Sequence, residues 1–508
     1  MGINQGNKKK TQEQPSWASA VRIPTEVKKT AETLTKAGFS AYLVGGCVRD
    51  ILLKQKPKDW DIATNAKPEE VQKAFKDSVY ENAFGTVGVK TESKDESVKI
   101  VEVTTFRTES GYSDRRHPDA VQFAKTIEED LARRDFTINA MAVALPTKGI
   151  LARNIIDPFD GAKDLKSKII RAVGDPRERF TEDALRLMRA VRFSAEFDFQ
   201  IEERTFVALQ AEQESLALIA KERVRDELVR MLMTSRAAEG IEALKDTGLL
   251  EYVLPELSEG IGCSQNKHHI YSVFDHNIRA LRYATEKNYA LEIRLASLLH
   301  DVGKPRTKRG EGRDATFHGH EIVGARMTAK ILDRLHFSKD IIEHVTHLVR
   351  FHLFYYNVGE VSEAGVRRFL NRVGAEYVDD LIKVREADRI GSGVPKAIPY
   401  KLRHLLFMIE KVKRDPIHPK MLAMRGDDIM KTLGIEPGPK IGAILAVLLE
   451  EVLDDPSRNT KEHLTKRTKE LDTLDEKKLR GMAEKARSTQ EEFESGVEKE
   501  MKKKFYVE

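Results

Sequence analysis

The chain of 508 residues contains few cysteines and no long apolar run. Only Cys47 and Cys263 occur, too few for a disulfide framework, so we expect a reducing compartment. No segment is long and apolar enough to span a membrane, and the amino terminus lacks a signal-type apolar stretch. These absences argue against a disulfide-rich secreted scaffold and a membrane protein, and they predict a cytoplasmic location without a membrane partner.

An excess of charge of one sign is also missing. The net charge is only +5, although 33% of the residues are charged, so a nucleic-acid surface would have to be a local patch. Hydrophobic residues make up 40% of the chain, which is enough to bury cores, and the length predicts several domains. Composition therefore permits many functions, and the motifs have to decide between them.

A glycine pair follows a short apolar run near the start of the chain. Ala41–Val44 has strand character, and residues 47–53 have helical spacing. Gly45 and Gly46 lie between them and allow positive φ and close backbone approach. The segment predicts a strand, a tight turn of a size that suits a phosphate, and a helix.

Two carboxylates come soon after this turn. Asp59 and Asp61 flank Trp60, and on a strand they would project from one face, about 7 Å apart at the backbone. Carboxylates so placed can share Mg²⁺ ions between a triphosphate and an attacking hydroxyl, which favours two-metal phosphoryl transfer over a plain Asp-rich turn. Glu102, on an alternating strand, is either a third metal ligand or a surface residue.

Two arginines beside a carboxylate form the next candidate group. Arg133 and Arg134 can grip phosphate oxygens bidentately, and Asp135 can accept hydrogen bonds from ribose hydroxyls. The alternative is a solvated helix start. The pattern adds groups that bind phosphate and ribose, which a nucleotidyl-transfer site needs besides its metal ligands.

A third motif contains a carboxylate and a guanidinium three residues apart. With Thr181 as the predicted helix N-cap, Asp183 and Arg186 share one helix face. An ordinary intrahelical ion pair is the alternative interpretation. An acceptor beside a donor matches the edge of cytosine or adenine, and it rejects guanine and uracil because their edges would face like groups.

These motifs, in this order, resemble those of the class II CCA-adding tRNA nucleotidyltransferases of the polymerase β superfamily. Residues 106–116 are similar to the flexible loop of that family, and residues 221–228 to its neck-helix motif. The resemblance implies an α+β fold, with a polymerase β-like head followed by an elongated all-helical neck, body and HD domain. It also implies tRNA, CTP and ATP as partners and Mg²⁺ at the head. The implied nucleotide-binding residues are Gly45, Gly46, Arg49, Arg133, Arg134, Asp135, Asp183, Arg186 and Arg189.

Alternatives to CCA addition remain open at this point. Bacterial poly(A) polymerases share the head motifs, although the basic glycine-arginine segment that typically marks them is not found here. A second alternative makes the HD unit primary, as a phosphohydrolase of nucleotides or RNA ends with the head as an RNA-holding module. A non-catalytic RNA-binding protein is the weakest interpretation, because the carboxylates of the head, Asp59 and Asp61, and those of the HD unit, Asp301 and Asp388, are all present.

Ten of the 14 histidines fall between His268 and His352, an enrichment that an ordinary helical domain does not need. His300 and Asp301 are predicted on the last turn of a helix that stops at Gly303 and Pro305. With His276 and Asp388 they can form a ligand set that suits Mn²⁺, Ni²⁺, Fe²⁺ or Mg²⁺.

The set resembles that of an HD phosphohydrolase domain, which in some proteins persists only as a scaffold. His320, His347 and His352 are candidates for a second metal, although a helical histidine is more often structural.

The pattern changes along the chain predict six segments. They are a basic disordered arm at 1–22, the nucleotidyltransferase head at 23–153, a helical neck and body with the base-selecting helix at 154–262, the HD domain at 263–416, a helical tail at 417–455 and a charged appendage at 456–508. The sequence does not specify an oligomeric state.

Overall fold

A computed structural model describes residues 22–82, 85–111, 120–145, 155–266, 270–357, 361–412 and 419–486. The chain divides into unit 1, which comprises residues 1–258 and Arg334–Phe337, and unit 2, which comprises Glu259–Asp333 and residues 338–508. The predicted arm up to residue 21, loop residues 112–116 and the end of the predicted appendage from residue 487 lie outside the described residues. Among the described helices, none combines the length and apolar character needed to cross a bilayer.

Unit 1 begins with a mixed sheet. The strands of the described chain are β1 (Ala41–Val44), β2 (Asp61–Thr64), β3 (Ser78–Asn82), β4 (Thr86–Lys90), β5 (Ile100–Thr105), β6 (Arg107–Ser110), β7 (Ala120–Phe123), β8 (Ala142–Leu145), β9 (Ile155–Ile156), β10 (Ile169–Ile170) and β11 (Gln200–Ile201). Seven of them form one sheet in the order β3-β4-β5-β2-β1-β8-β9, and β2 runs parallel to β5. The other two sheets pair β6 with β7 and β10 with β11.

The helices of unit 1 cover the sheet and then continue the chain as a helical segment. They are α1 (Thr25–Lys36), α2 (Gly46–Leu52), α3 (Pro68–Ala74), α4 (Glu96–Lys99), α5 (Ile127–Ala132), α6 (Gly161–Ser167), α7 (Pro176–Glu182), α8 (Leu185–Phe197), α9 (Glu203–Glu212), α10 (Lys221–Leu232), α11 (Ala237–Asp246), α12 (Leu250–Val253) and α13 (Pro255–Ser258). The predicted α+β fold, with a mixed α/β head followed by helices, is confirmed.

Alternation of burial along the central strands explains how the sheet positions its polar side chains. On β5, Val101 and Val103 are fully buried, whereas Glu102 between them is exposed. The predicted strand Ala41–Val44 and the helix after it are confirmed, and α2 starts at Gly46 because Gly45 turns the chain with a φ of 73°. The carboxyl end of β1 and the start of β2 therefore lie at one edge, since these strands are antiparallel.

Unit 2 is helical throughout its described residues, apart from one isolated β-bridge. Its helices are α14 (Val273–Glu286), α15 (Leu291–Leu299), α16 (Lys304–Thr307), α17 (His320–Arg334), α18 (Lys339–Phe351), α19 (Glu363–Val373), α20 (Val378–Gly391), α21 (Tyr400–Val412), α22 (Gly426–Leu433), α23 (Pro439–Asp454) and α24 (Lys461–Asp472). Helix α14 packs against α15 and α20. A separate apolar core, which includes Ile429, Leu448 and Leu471, joins α22, α23 and α24.

The end of α17 belongs to unit 1 although the rest of the helix belongs to unit 2. Arg334 Nη2 donates to Glu256 Oε2 at 2.8 Å, and the Arg225 guanidinium donates to the carbonyl of His336. Unit 1 is therefore completed by a segment that returns to it after the chain has already entered unit 2.

Candidate active site and metal centre

Gly45 brings the backbone of the first turn against two side chains of the candidate site. A Cβ atom at position 45 would lie 2.8 Å from Nη1 of Arg134 and 3.6 Å from Oδ2 of Asp61. Its positive φ adds backbone strain for any other residue. The turn therefore needs glycine both for its conformation and for the space that the Arg134 guanidinium occupies.

The three predicted carboxylates lie at this edge of the sheet. Asp61 is the first residue of β2 and is the register partner of Glu102 on β5. Asp59 lies in a bend before β2, so its predicted place on the strand is wrong, although buried Trp60 still separates it from Asp61. Asp59 and Glu102 line one surface cleft.

The electrostatics of this edge favour a bound cation. Burial raises the pKa of Asp61 to about 6, Arg134 opposes the rise, and the Asp59 charge adds to it. Two close carboxylates and a third on the neighbouring strand are the hard oxygen donors that Mg²⁺ prefers. The residues present fit a magnesium site.

The two arginines of the second motif are held by a buried carboxylate that the sequence analysis missed. Asp130, on α5, is 1% exposed and accepts from Arg133 Nη2 at 2.8 Å and from Arg134 Nη2 at 3.2 Å. Burial raises the pKa of Asp130, but Arg134 and Arg133 outweigh this and lower it. Asp130 thus stays ionised and orients both guanidiniums.

Asp135 is already engaged by protein donors. Its Oδ2 accepts from Arg189 Nε at 2.8 Å and Nη2 at 2.5 Å, and its Oδ1 accepts from Asn139 Nδ2 and the Phe136 N–H. Burial alone would raise the pKa of Asp135, but Arg189 and its other partners lower it to about 2. The carboxylate joins the second motif to α8, which carries Arg189.

Arg49 lies beside the turn but its guanidinium also has protein partners. Nη1 donates to Asn139 Oδ1 at 2.7 Å, Nη2 donates to Asp50 Oδ1 at 2.7 Å, and the group lies 4.5 Å from the centre of the Phe197 ring. A Cβ atom on Gly46 would be 3.5 Å from Nη2 of Arg49. The structure therefore brings Arg49 to the glycine turn in a fixed orientation.

The third motif differs from the prediction. Thr181 lies inside α7 and donates to the Arg177 carbonyl, so it is not a helix N-cap. Asp183 lies between α7 and α8 in an extended conformation, so it does not share a helix face with Arg186. The reason is local: the Asp183 carboxylate accepts the Leu185 N–H at 3.0 Å and so starts the next helix itself.

Each member of the predicted base-reading pair has a different partner. Asp183 Oδ2 accepts from Arg223 Nη2 of α10 at 2.9 Å. Arg186 donates to Glu182 Oε2 at 2.6 Å and to the carbonyl of Arg133 at 3.1 Å. The structure thus holds an acceptor and a donor near each other, each fixed by a neighbour.

The four predicted metal ligands of unit 2 converge in a buried cluster. His276, on α14, places Nε2 2.8 Å from Nε2 of His300, 3.1 Å from Oδ2 of Asp301 and 3.3 Å from Oδ1 of Asp388. All four residues are less than 9% exposed. Helix α15 ends at Leu299, so His300 and Asp301 follow the helix rather than form its last turn. Pro305 does not end that helix, because it lies in the next short helix, α16.

Two further histidines complete a second triad in the same cluster. Nε2 of His320 is 3.2 Å and Nε2 of His352 is 3.6 Å from Oδ1 of Asp301. The two triads are His276, His300, Asp388 and Asp301, His320, His352. Asp301 belongs to the second triad through Oδ1, and its Oδ2 faces the histidines of the first. The suggestion for His347 is wrong, because its Nε2 bonds the Val373 carbonyl and its ring stacks on Tyr377.

The imidazole orientations fit metal binding. Nδ1 of His300, His320 and His352 each faces the carbonyl three residues earlier, at 2.9, 2.7 and 2.7 Å, and must donate to it. That tautomer leaves the Nε2 lone pair aimed into the cluster. Burial lowers the pKa of His300, but Asp301 and Asp388 outweigh it and raise the pKa to about 10, because the carboxylates of the cluster favour positive charge at this position.

Three family models match the chain: a Poly A polymerase head domain at 41–171, a probable RNA and SrmB-binding site of polymerase A at 198–261, and an HD domain at 273–391. The CCA-adding enzyme of Enterococcus faecalis is 33% identical over 457 residues, which cover 87% of this chain and 95% of that relative. The chain belongs to the CCA-adding enzyme family.

Other members of the family match over different lengths. The enzyme of Ligilactobacillus salivarius is 48% identical over 234 residues, so the chain spans about half the length of that relative, 55%. An A-adding tRNA nucleotidyltransferase of Deinococcus radiodurans is 34% identical over 91% of its length. The crystal structure of the Bacillus stearothermophilus CCA-adding enzyme in complex with CTP has a TM-score of 0.65 and 27% identity, and covers 88% of this chain and 96% of that one.

The sequence analysis of this CCA-adding family member missed residues that act through others. Asp130, Arg223 and Glu227 hold residues of the predicted motifs, and Glu227 does so by bonding Arg192 Nε at 2.5 Å and lying 3.8 Å from Arg189. Arg223 and Glu227 fall within the neck-helix segment, which was noticed without a role. Arg223 and Glu227 lie about 40 residues from their partners, so no periodic signal could have found them. Asp130 precedes Arg133 and Arg134 by three and four residues, and this helical spacing was the signal that could have found it.

Proposed function

We propose that the chain is a cytoplasmic tRNA nucleotidyltransferase that adds C, C and A to the 3′ end of tRNA from CTP and ATP. Pyrophosphate leaves, and no nucleic-acid template is used. The observation that carries the proposal is the meeting of Asp59, Asp61 and Glu102 at the edge where Gly45 turns the chain. We propose Asp59 and Asp61 as ligands of Mg²⁺, with Glu102 as the third.

Magnesium bound there would neutralise the triphosphate and lower the barrier to attack by the tRNA hydroxyl. The other residues bind and orient. Gly45 and Gly46 admit the phosphates close to the backbone, and Arg134, aligned by Asp130, places its guanidinium beside the turn. Arg49 and Arg133 add positive charge, while Asp135 and Arg189 keep the second motif against α8.

Base choice is assigned to Asp183 and Arg186. A carboxylate has about four lone-pair sites, and that of Asp183 accepts three hydrogen bonds, two from Arg223 and one from the Leu185 N–H. A guanidinium has five N–H groups, and that of Arg186 donates three, to Glu182 and to the carbonyls of Arg179 and Arg133, so both groups keep capacity for a base. One acceptor and one donor suit the amine and ring nitrogen of cytosine and of adenine. A single reader for both bases is consistent with an enzyme that uses CTP and ATP.

The proposal is tested by incubating the full chain and Mg²⁺ with tRNA ends that lack CCA, CA or A. CTP and ATP are supplied alone or together, and product lengths are measured. We expect growth by three, two and one nucleotides. Growth only on the end that lacks A would support addition of A alone, the activity for which the Deinococcus radiodurans relative is named. Long A tails would support poly(A) addition.

We propose phosphohydrolase activity as a second function, carried by the two buried triads that Asp301 connects. Mn²⁺, Ni²⁺, Fe²⁺ or Mg²⁺ bound by His276, His300, Asp301 and Asp388 would activate water, and His320 and His352 would hold a second ion. Lys304 Nζ, 2.6 Å from Asp301 Oδ2 and 2.7 Å from Gln265 Oε1, supplies a buried cation for a phosphate. The test is a screen of nucleoside monophosphates and 2′,3′-cyclic phosphates with each metal.

We also propose that the segments 23–153, 154–262, 263–416 and 417–455 act as head, neck and body, HD domain and tail. The matched family models, at 41–171, 198–261 and 273–391, each overlap mainly with one of the first three segments, which supports the order of the division.

A further inference from the structure

Helix α21 of unit 2 exposes two large aromatic rings to solvent. Tyr400 and Phe407 are each 63% exposed, compared with 48% for Phe123 and 44% for Tyr80. The opposite face of α21 is apolar and buried, with Leu402, Leu405 and Ile409. The helix is therefore well anchored, and its exposed rings are not needed for that packing.

The exposed rings belong to a continuous row. Tyr400, His404 and Phe407, spaced by four and three residues, lie on one helix face, and we call them the aromatic stripe. The His404 ring centre is 6.1 Å from each of the other two. Tyr356, buried beneath the stripe, fixes the imidazole through a 2.5 Å hydrogen bond between its hydroxyl and His404 Nδ1.

Cations flank the stripe. Residues 396–411 contain four lysines and arginines but one carboxylate, Glu410. Lys401 bonds Asn357 and Lys411 pairs with Glu363. Arg403 is exposed, and its guanidinium has no ionic partner within the described part of the chain. The surface is thus aromatic along its centre and mainly basic at its sides.

We propose that the aromatic stripe binds single-stranded RNA by stacking bases on Tyr400, His404 and Phe407, while Arg403 and Lys401 contact the phosphates. Exposed rings with flanking cations are how proteins bind single strands without reading sequence. The surface therefore fits a polyanion that also offers flat apolar faces.

The stripe lies close along the chain to the metal cluster. Tyr356 follows His352 by four residues, so their Cα atoms are at most about 14 Å apart. Helix α20, which carries Asp388, leads directly into the segment before α21. An RNA strand on the stripe would thus run near the candidate hydrolytic site. The binding proposal does not depend on that activity, and its test measures binding alone.

The test uses the full chain and a fluorescent 12-nucleotide RNA of mixed sequence without secondary structure. Affinity is measured by anisotropy over a range of salt concentrations for wild type, Tyr400→Ala/Phe407→Ala, Tyr400→Trp/Phe407→Trp and Arg403→Ala. We expect the double alanine variant to bind the RNA tenfold or more weakly than wild type, because both exposed stacking platforms are removed. The tryptophan pair should bind at least as well as wild type.

Arg403→Ala should reduce the slope of log K against log salt by about 0.7, the value for one phosphate contact on a single strand, while the alanine pair leaves the slope unchanged. Tyr80→Ala removes an exposed ring from unit 1 and should not change affinity. Wild-type affinity in the alanine pair would refute the proposal. Weak binding by the tryptophan pair as well as by the alanine pair would also refute it. A lower oligomeric mass of the alanine pair in solution would show instead that the rings form a protein interface. tRNA extension by the same preparations separates this result from the proposed transferase.

Discussion

Single side chains in the candidate active site are oriented by hydrogen bonds from other protein side chains. Asp130 holds two arginines with one carboxylate, so one unit of positive charge is left over beside Asp61. Asp135 is similarly fixed by Arg189. Preorganised charge of this kind needs no rearrangement when a triphosphate enters. Substitution of these supporting residues is therefore expected to affect the site, as substitution of the predicted ligands is.

The carboxylates at the edge of the sheet give the first prediction. Asp59→Ala or Asp61→Ala should reduce nucleotide addition at least ~10³-fold, because the transfer depends on metal positioning and charge neutralisation. Affinity for tRNA should change little. Single-turnover addition and tRNA binding are measured on the same preparations, with Asp77→Ala, at another exposed aspartate of unit 1, as the control. Full addition by both variants would show that the metal site lies elsewhere.

The pair between Asp183 and Arg223 gives a second prediction, testable by a double-mutant cycle. Arg223→Ala should relax the rejection of UTP and GTP because the carboxylate of Asp183 loses the contact that aims it. Loss of a base reader typically lowers discrimination by about 1–3 kcal/mol. The double variant should be no worse than Asp183→Ala alone, since the two residues act as one unit. Additive effects on selectivity would instead make Arg223 an independent contributor.

The turn between β1 and α2 can be tested against another glycine of the same backbone type. Gly45→Ala and Gly38→Ala should both lower stability, by about 1–3 kcal/mol, because both positions have positive φ. Only Gly45→Ala places a Cβ against Arg134, whereas position 38 has open space. Addition should therefore fall only in Gly45→Ala. Thermal unfolding and addition rates are compared, and equal activity in the two variants would argue against a role for the Arg134 position.

Local signals in the sequence were sufficient for some elements of the head, but they placed Asp59 on a strand where the chain bends. Alternation of polar and apolar residues predicted a strand around Glu102, although not whether this carboxylate binds a metal, and the glycine turn predicted α2. Helical spacing failed at Asp183, because its side chain could bond the backbone and start a new helix. The contact of Asp183 with Arg223 depends on packing between α8 and α10, which no short-range pattern encodes.

The metal cluster shows the same division between local and tertiary information. Residue types alone suggested His276, His300, Asp301 and Asp388, which the fold brings together. They did not separate His320 and His352 from His347, since all three lie in or next to helices with similar surroundings in the sequence. Which of the three imidazoles points into the cluster depends on how each helix is rotated about its axis, and this rotation follows from the packing of unit 2.

The two units should function separately in the whole chain. His300→Ala or Asp301→Ala should abolish metal-dependent phosphoester hydrolysis, since a ligand of the centre is lost, while CCA addition survives because the carboxylates of the head lie in unit 1. Both activities are assayed with the same protein. No hydrolysis by wild type with any metal would favour a scaffold role for unit 2, and loss of addition by a folded variant would show that the sites are coupled.

The number of metal ions held by the whole chain distinguishes the histidines of unit 2. After loading with Mn²⁺ and desalting, we expect about one ion fewer in His320→Ala/His352→Ala than in wild type, as measured by elemental analysis. His347→Ala is the matched control, because that imidazole is bonded to the Val373 carbonyl outside the cluster. An unchanged count in the double variant would leave a single ion at the four ligands expected from the sequence.

The return of Arg334–Phe337 to unit 1 limits how this molecule can be dissected. A gene fragment that stops at residue 258 would encode Glu256 without Arg334, and Arg225 without the His336 carbonyl that it binds. Each of the two fragments would then expose polar groups that have lost their hydrogen-bond partners in the other fragment. Point substitutions are therefore the sounder genetic tool here, and any exchange of segments between relatives would have to carry the end of α17 along with the first 258 residues.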